Sequence, residues 1–260
     1  MQARGVFDAV PLWALYLMTA GVVLLAVEAG WRLGNFNRQR RESEKEAPVG
    51  AVVGATLGLL AFLLAFTFGM AASRYDTRKQ VVLQEANAIG TTYLRADLLP
   101  APARDEVRSL LREYTALRAG GVASIMTPEG MSASATLQDK LWAVAASVGG
   151  NPGSIATGLF IESLNETIDL DTVRVAANRN QIPDSIWFVL YVVTILTMAA
   201  MGYQFGLSGV RSWAVTILLV LVFNAVILLI ADLDRPQRGM VQVSQQALID
   251  LLHKIGTPPP

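Results

Sequence analysis

The 260-residue sequence contains no cysteine and a single histidine. Without a thiol there is no disulfide, no thiolate nucleophile and no cysteine-based zinc or iron–sulfur site. His253, alone beside Lys254 near the C-terminus, builds neither a metal site nor a nucleophile–base pair. Charge is scarce as well: only 16% of residues are charged, 21 of each sign, so no excess of either draws the chain to nucleic acid. No glycine-rich phosphate loop carries its lysine, and no paired acids or Ser–Lys arrangement sits within the apolar stretches. The expectation is a protein that is not an enzyme, binds no nucleic acid and needs no cofactor or metal.

Apolar residues are what the chain has in abundance. They make up 53% of it, and the mean hydropathy is +0.42, which points to an integral membrane protein with the lipid bilayer as its first partner. The clearest apolar run is 50–73, which meets its first charge at Arg74. At about 1.5 Å per residue it is long enough to cross a hydrocarbon core of roughly 30 Å. Gly50, Gly54 and Gly58 recur every fourth residue in its first half, a spacing that lets one helix backbone approach another. Its second half is rich in phenylalanine. Phe62 and Phe66 share a helix face, and with Leu59 and Phe68 they are candidates for an apolar constriction in a ring of subunits, or else for plain packing and lipid contact.

Three further spans frame this one. Residues 9–30 form the first, with Trp13, Tyr16 and Trp31 near its ends and Glu28 as its one acid, placed to reach the headgroups. Residues 186–206 and 213–231 form the third and fourth, joined by a turn too short to fold separately. Asn224, the strongly polar side chain inside the fourth, is expected to hydrogen-bond another helix. The organisation predicted is a membrane unit at 1–74 with spans at 9–30 and 49–72, a helical soluble insertion at 75–182, a membrane unit at 183–232, and a soluble tail at 233–260. The fold class is all-α, four transmembrane helices in a two-plus-two arrangement.

Within the insertion, apolar residues repeat at helical spacing in four places: Val82, Ala86, Ile89 and Tyr93; Val107, Leu110, Tyr114 and Leu117; Leu137, Leu141, Val144 and Val148; Ile161, Leu164, Ile168 and Val175. Arg78, Glu85 and Arg95 are assigned to the other faces of the first helix. Residues 120–135 suggest a loop or broken helix, and the Gly-Pro cluster at 149–153 a break. Each stripe needs a covering partner, so the insertion should be a helical bundle.

Two stretches resemble the bestrophins. Residues 64–100, which open on Leu64-Ala65-Phe66 and pass through Arg74-Tyr75, are similar to the signature region of the bacterial bestrophin-like proteins. More distantly they resemble the bestrophin stretch in which the pore-lining second helix leaves the membrane with a Leu-Gly-Phe run and an Arg-aromatic pair. Residues 230–239, with Asp232, Asp234, Pro236 and Gly239, resemble the acid-x-Pro-Phe-Gly segment after the bestrophin fourth helix, although Gln237-Arg238 replaces its phenylalanine. The resemblance implies a homo-oligomeric ion channel, a pentamer, in which inorganic anions pass a pore lined by the second span. Leu59, Phe62, Phe66 and Phe68 then supply the neck, and Arg74 and Tyr75 the exit. It also implies a bacterial inner membrane with the insertion and both termini in the cytoplasm. Beyond Asp232 and Asp234 the acidic cluster of the animal calcium site has no counterpart. The alternative is a non-conducting scaffold or envelope sensor that recruits a partner through its helical insertion.

Overall fold

The computed structural model describes residues 10–40, 46–149, 155–209, 211, 213–236 and 239–256. The helices are α1 (Leu12–Arg40), α2 (Glu46–Arg95), α3 (Ala103–Ala119), α4 (Val122–Ile125), α5 (Pro128–Gly149), α6 (Ile155–Arg179), α7 (Asp184–Ser208), α8 (Trp213–Asp234) and α9 (Gln246–Gly256). Among the described residues there is no strand. Among the described residues four helical stretches, Leu12–Arg40, Pro48–Leu98, Ile155–Ser208 and Trp213–Asp234, are long and apolar enough to cross a membrane. The chain is therefore an all-α membrane protein with two spans on either side of a helical insertion. It divides into two units, one of Met1–Ser73 with Gln181–Val241, the other of Arg74–Asn180 with Gln242–Pro260. Residues 233–260, expected as a soluble tail, fall partly in each unit. The charged residues Arg41, Glu42 and Glu44, most of the Gly-Pro cluster at 149–153, and Gln237 and Arg238 lie outside the described residues.

In the first unit α1 does not stop at Gly30 but continues ten residues further, to Arg40. The reason is its packing against α7. A Cβ on Gly30 would run into the backbone of Ala199, one on Gly34 into Tyr203, one on Gly202 into Val27 and one on Gly206 into Trp31 and Asn35. Two Gly-x-x-x-Gly pairs thus meet face to face, and only glycine lets the backbones come this close. Side-chain bonds extend the contact: Thr19 Oγ1 and Tyr191 Oη are 2.9 Å apart, and Asn37 Nδ2 donates to Tyr203 Oη at 2.8 Å. From α8, buried Asn224 donates through Nδ2 to the Tyr16 carbonyl at 2.9 Å. Glu28 is held by two arginines, Arg32 at 2.9 Å and Arg211 at 3.0 Å. The Arg211 guanidinium also lies 4.4 Å from the Trp31 ring centre and 4.5 Å from that of Trp213.

The second unit has its own apolar core. Val82, Ile89 and Tyr93 of α2, Leu111 and Tyr114 of α3, Leu141 of α5, Phe160 and Leu164 of α6, and Leu248 and Ile255 of α9 are all buried in it. Each such aliphatic side chain removed from water contributes about 1.5–3 kcal/mol. The stretch at 120–135 is more ordered than expected. Gly121, at φ 77°, makes the turn that L residues rarely adopt. Thr127 then caps α5, its Oγ1 accepting the Gly130 N–H at 3.0 Å. Pro128 follows as the first helical residue, where its missing N–H costs nothing.

Charge also lies inside this core. Glu85, assigned to a free face of α2 on periodicity, is wholly buried, with Arg118 on one carboxylate oxygen and Arg174 on the other. Arg118 reaches Asp171 as well, and Asp171 accepts from Gln138 Nε2 at 2.9 Å, while Arg174 donates to Gln245 Oε1 at 2.6 Å. Two carboxylates and two guanidiniums cancel, which is the condition for burying such groups. Arg78, likewise assigned to a free face, is buried too.

Candidate pore-lining helix

Helix α2 is unbroken from Glu46 to Arg95. Along its membrane-spanning part the buried residues are Val53, Leu60, Leu64, Thr67 and Ala71, spaced in threes, fours and sevens along one side. That stripe seats the helix against its own chain. The opposite side is open: Leu59, Phe62 and Phe66 form a second line at the same spacing, with Phe62 and Phe66 65% and 59% exposed. The two rings stack, centroids 6.4 Å apart and planes 20° from parallel. Helical spacing and mutual contact thus present them as one apolar step on an uncovered surface.

Phe68 does not join that line. Two residues beyond Phe66, at about 100° per residue, it points to the far side of the helix from that line, and it is less exposed, at 38%. The glycines fall into two groups. A Cβ on Gly54, Gly58 or Gly69 would meet nothing within 4 Å, whereas one on Gly50 would meet the Gln204 side chain at 2.9 Å. The glycines that bring two described membrane helices into close backbone contact are therefore Gly30, Gly34, Gly202 and Gly206 of α1 and α7, not those of α2. The signal was available in Gly30-Trp-Arg-Leu-Gly34 and Gly202-Tyr-Gln-Phe-Gly206.

Past the membrane segment Arg74 and Tyr75 are half-buried. The Tyr75 hydroxyl faces the Gln242 carbonyl at 3.5 Å. After α8 the acids have defined backbone partners. Asp234 accepts the Ile182 N–H with both oxygens, at 2.9 and 3.1 Å, tying the end of α8 to the approach to α7. Asp232, buried, accepts the N–H groups of Met240 and Val241 at 2.8 and 2.9 Å. Pro236 stands in the bend between them. A Cβ on Gly239 would sit 2.5 Å from Asp232 Oδ1, so the hook closes only over glycine. Among the described residues no group of acids and histidine is arranged to hold a metal ion.

The family profile described as a bestrophin-like domain matches residues 20–248. A crystal structure of a mutant form of a bacterial bestrophin homologue from Klebsiella pneumoniae is similar at TM-score 0.65 and 17% identity, covering 94% of this chain and 97% of that one. A second structure of that homologue is similar at TM-score 0.65 and 16% identity, covering 94% and 98%. At such identities the likeness is one of fold. No curated protein matches the chain.

Proposed function

The chain belongs to the bestrophin-like family, and on that premise we propose that it is a homo-oligomeric ion channel, a pentamer, whose pore is lined by α2 and narrowed by Phe62 and Phe66. The observation that carries this is the division of α2 into two sides. One side is buried against its own chain; the other holds Leu59, Phe62 and Phe66 uncovered, with space over Gly54 and Gly58 for a neighbouring copy to approach. Around a closed symmetry axis such a face becomes a ring of aromatic side chains, and an apolar ring obstructs ions by excluding their hydration water. Arg74 and Tyr75 mark the exit of this helix from the membrane. Resemblance to the bestrophins brings anion conduction with it as an expectation, along with a bacterial inner membrane and cytoplasmic termini and insertion. Yet the line that carries Phe62 and Phe66 has no base on it.

The test is ion flux through purified protein in liposomes. Phe62→Ala and Phe66→Ala should each raise it, and an absence of flux in wild type and both variants sinks the proposal. A dimer without an axial passage would instead favour a scaffold or envelope sensor. Because the chain has no cysteine, labelling Arg40→Cys and Gly120→Cys from either side of the membrane reads the orientation directly: the proposed arrangement makes residue 120 cytoplasmic and residue 40 external.

A further inference from the structure

Resting on the assignment of α2 to the pore, we infer that Asp76 sets the charge preference of the passage and sets it toward cations. Position 76 lies two heptads beyond Phe62 and one beyond Gly69 on an uninterrupted helix, so the three share a side. Ser73 and Gln80 continue the same exposed line and carry no charge. Asp76 is the acid on it. Its side chain is exposed, and among the described residues no ion pair involves it. The neighbouring bases are turned elsewhere: Arg78 is buried, Arg74 is half-buried, and exposed Lys79 stands about 60° around the helix at about 100° per residue.

In a ring of copies the Asp76 carboxylates fall at one level along the axis, on the line that bears the aromatic step. Rings of carboxylates are the means by which pores favour cations, and low-dielectric walls focus their field. Each copy adds one negative charge and no compensating positive one on that line. The aromatic step then controls whether ions pass, and Asp76 which sign of ion.

The experiment is the reversal potential of current through reconstituted protein under a KCl gradient, in wild type and in a Phe66→Ala background so that a tight constriction does not hide the effect. The wild-type side chains should give K⁺ preference over Cl⁻. Asp76→Asn, nearly isosteric at an exposed site, should lower that permeability ratio about three- to tenfold, and Asp76→Lys should invert it. Lys79→Ala should leave the preference for K⁺ in place. An anion-preferring current with Asp76 present, or a ratio unmoved by Asp76→Asn while current flows, overturns the inference and leaves the channel standing. No current from any of these proteins, each verified as folded, overturns both.

Discussion

Glu85 and Arg118 meet at 2.5 Å with side chains that are 0% and 1% exposed. Arg174 occupies the other carboxylate oxygen, so one acid from α2 joins α3 to α6 inside the helical unit. Such an arrangement is stable only as a set. Glu85→Gln would leave two buried guanidiniums with one fewer anion, and removing one member of a buried pair costs about 3–5 kcal/mol. The expected result is a lower thermal or denaturant midpoint for the purified protein in detergent, with the helical unit unfolding first. A wild-type midpoint would mean that water or rearrangement compensates the arginines.

Tyr114 lies beside this network, and burial pushes its hydroxyl from 10.0 up to about 12. The carboxylates of Asp171 and Glu85 push the same way, and the Arg118 cation opposes them. In the unfolded chain the phenol loses its proton near pH 10, and in the folded chain only near pH 12. Below pH 10 both states hold the proton and stability does not change; between pH 10 and 12 the folded state holds more, so stability falls as pH rises, by about 2–3 kcal/mol in all. Denaturant midpoints measured across that window should fall more steeply in wild type than in Tyr114→Phe. The variant's lost hydrogen bond from Gln138, 3.3 Å long, lowers its stability at every pH and does not mimic the slope.

How much of this could be read from the residues depends on whether apolarity marked the buried face. In α2 it did: Val82, Ala86, Ile89 and Tyr93 line the core as their spacing predicts. In α6 it did not. Its buried line includes Thr157, Ser163, Thr167, Arg174 and Asn178 alongside Phe160, Leu164 and Leu170, while Ile161, Ile168 and Val175 are only partly covered. Polar residues bury there because they find partners: Thr167 Oγ1 lies 3.0 Å from Thr92 Oγ1, and Arg174 lies on Glu85. No hydropathy pattern carries that information. The pairing of α1 with α7 was legible as glycine spacing but masked by the tryptophan, arginine and tyrosine between the glycines. The exposed line on α2 was legible at Phe62 and Phe66, and its continuation to Asp76 only once the helix was known to run unbroken through Arg95.

Gly202 and Gly54 should respond oppositely to the same methyl group. At Gly202 a Cβ would lie within 3.0 Å of Val27 backbone atoms, and backbone cannot swing aside as a side chain does. Gly202→Ala should therefore cost about 1–3 kcal/mol by overpacking. At Gly54 nothing stands within 4 Å, so Gly54→Ala should leave the chain's own packing intact and gain about 1 kcal/mol of helix propensity. Midpoints in detergent compare the two. If a neighbouring copy packs over Gly54, cross-linking of the oligomer should weaken in Gly54→Ala, and in bulkier Gly54→Leu it should be lost while the protein stays folded.

The hook after α8 gives the last prediction. Asp232 supplies the oxygens for two part-buried backbone N–H groups, and Gly239 provides the room for that loop to close over it. Asp232→Ala takes the acceptor from both donors, at about 0.5–1.5 kcal/mol for each lost bond where water can reach the N–H. Gly239→Ala keeps the carboxylate but drives a methyl to 2.5 Å from Oδ1, so it should open the same loop by a different route. Hydrogen exchange at the amides of Met240 and Val241 should become faster in both variants, and limited proteolysis should cut there first. Asp232→Asn separates charge from geometry: its one carbonyl oxygen can accept where two oxygens did before, so protection should fall to an intermediate level. Full protection in Asp232→Ala would mean that some other acceptor holds the loop.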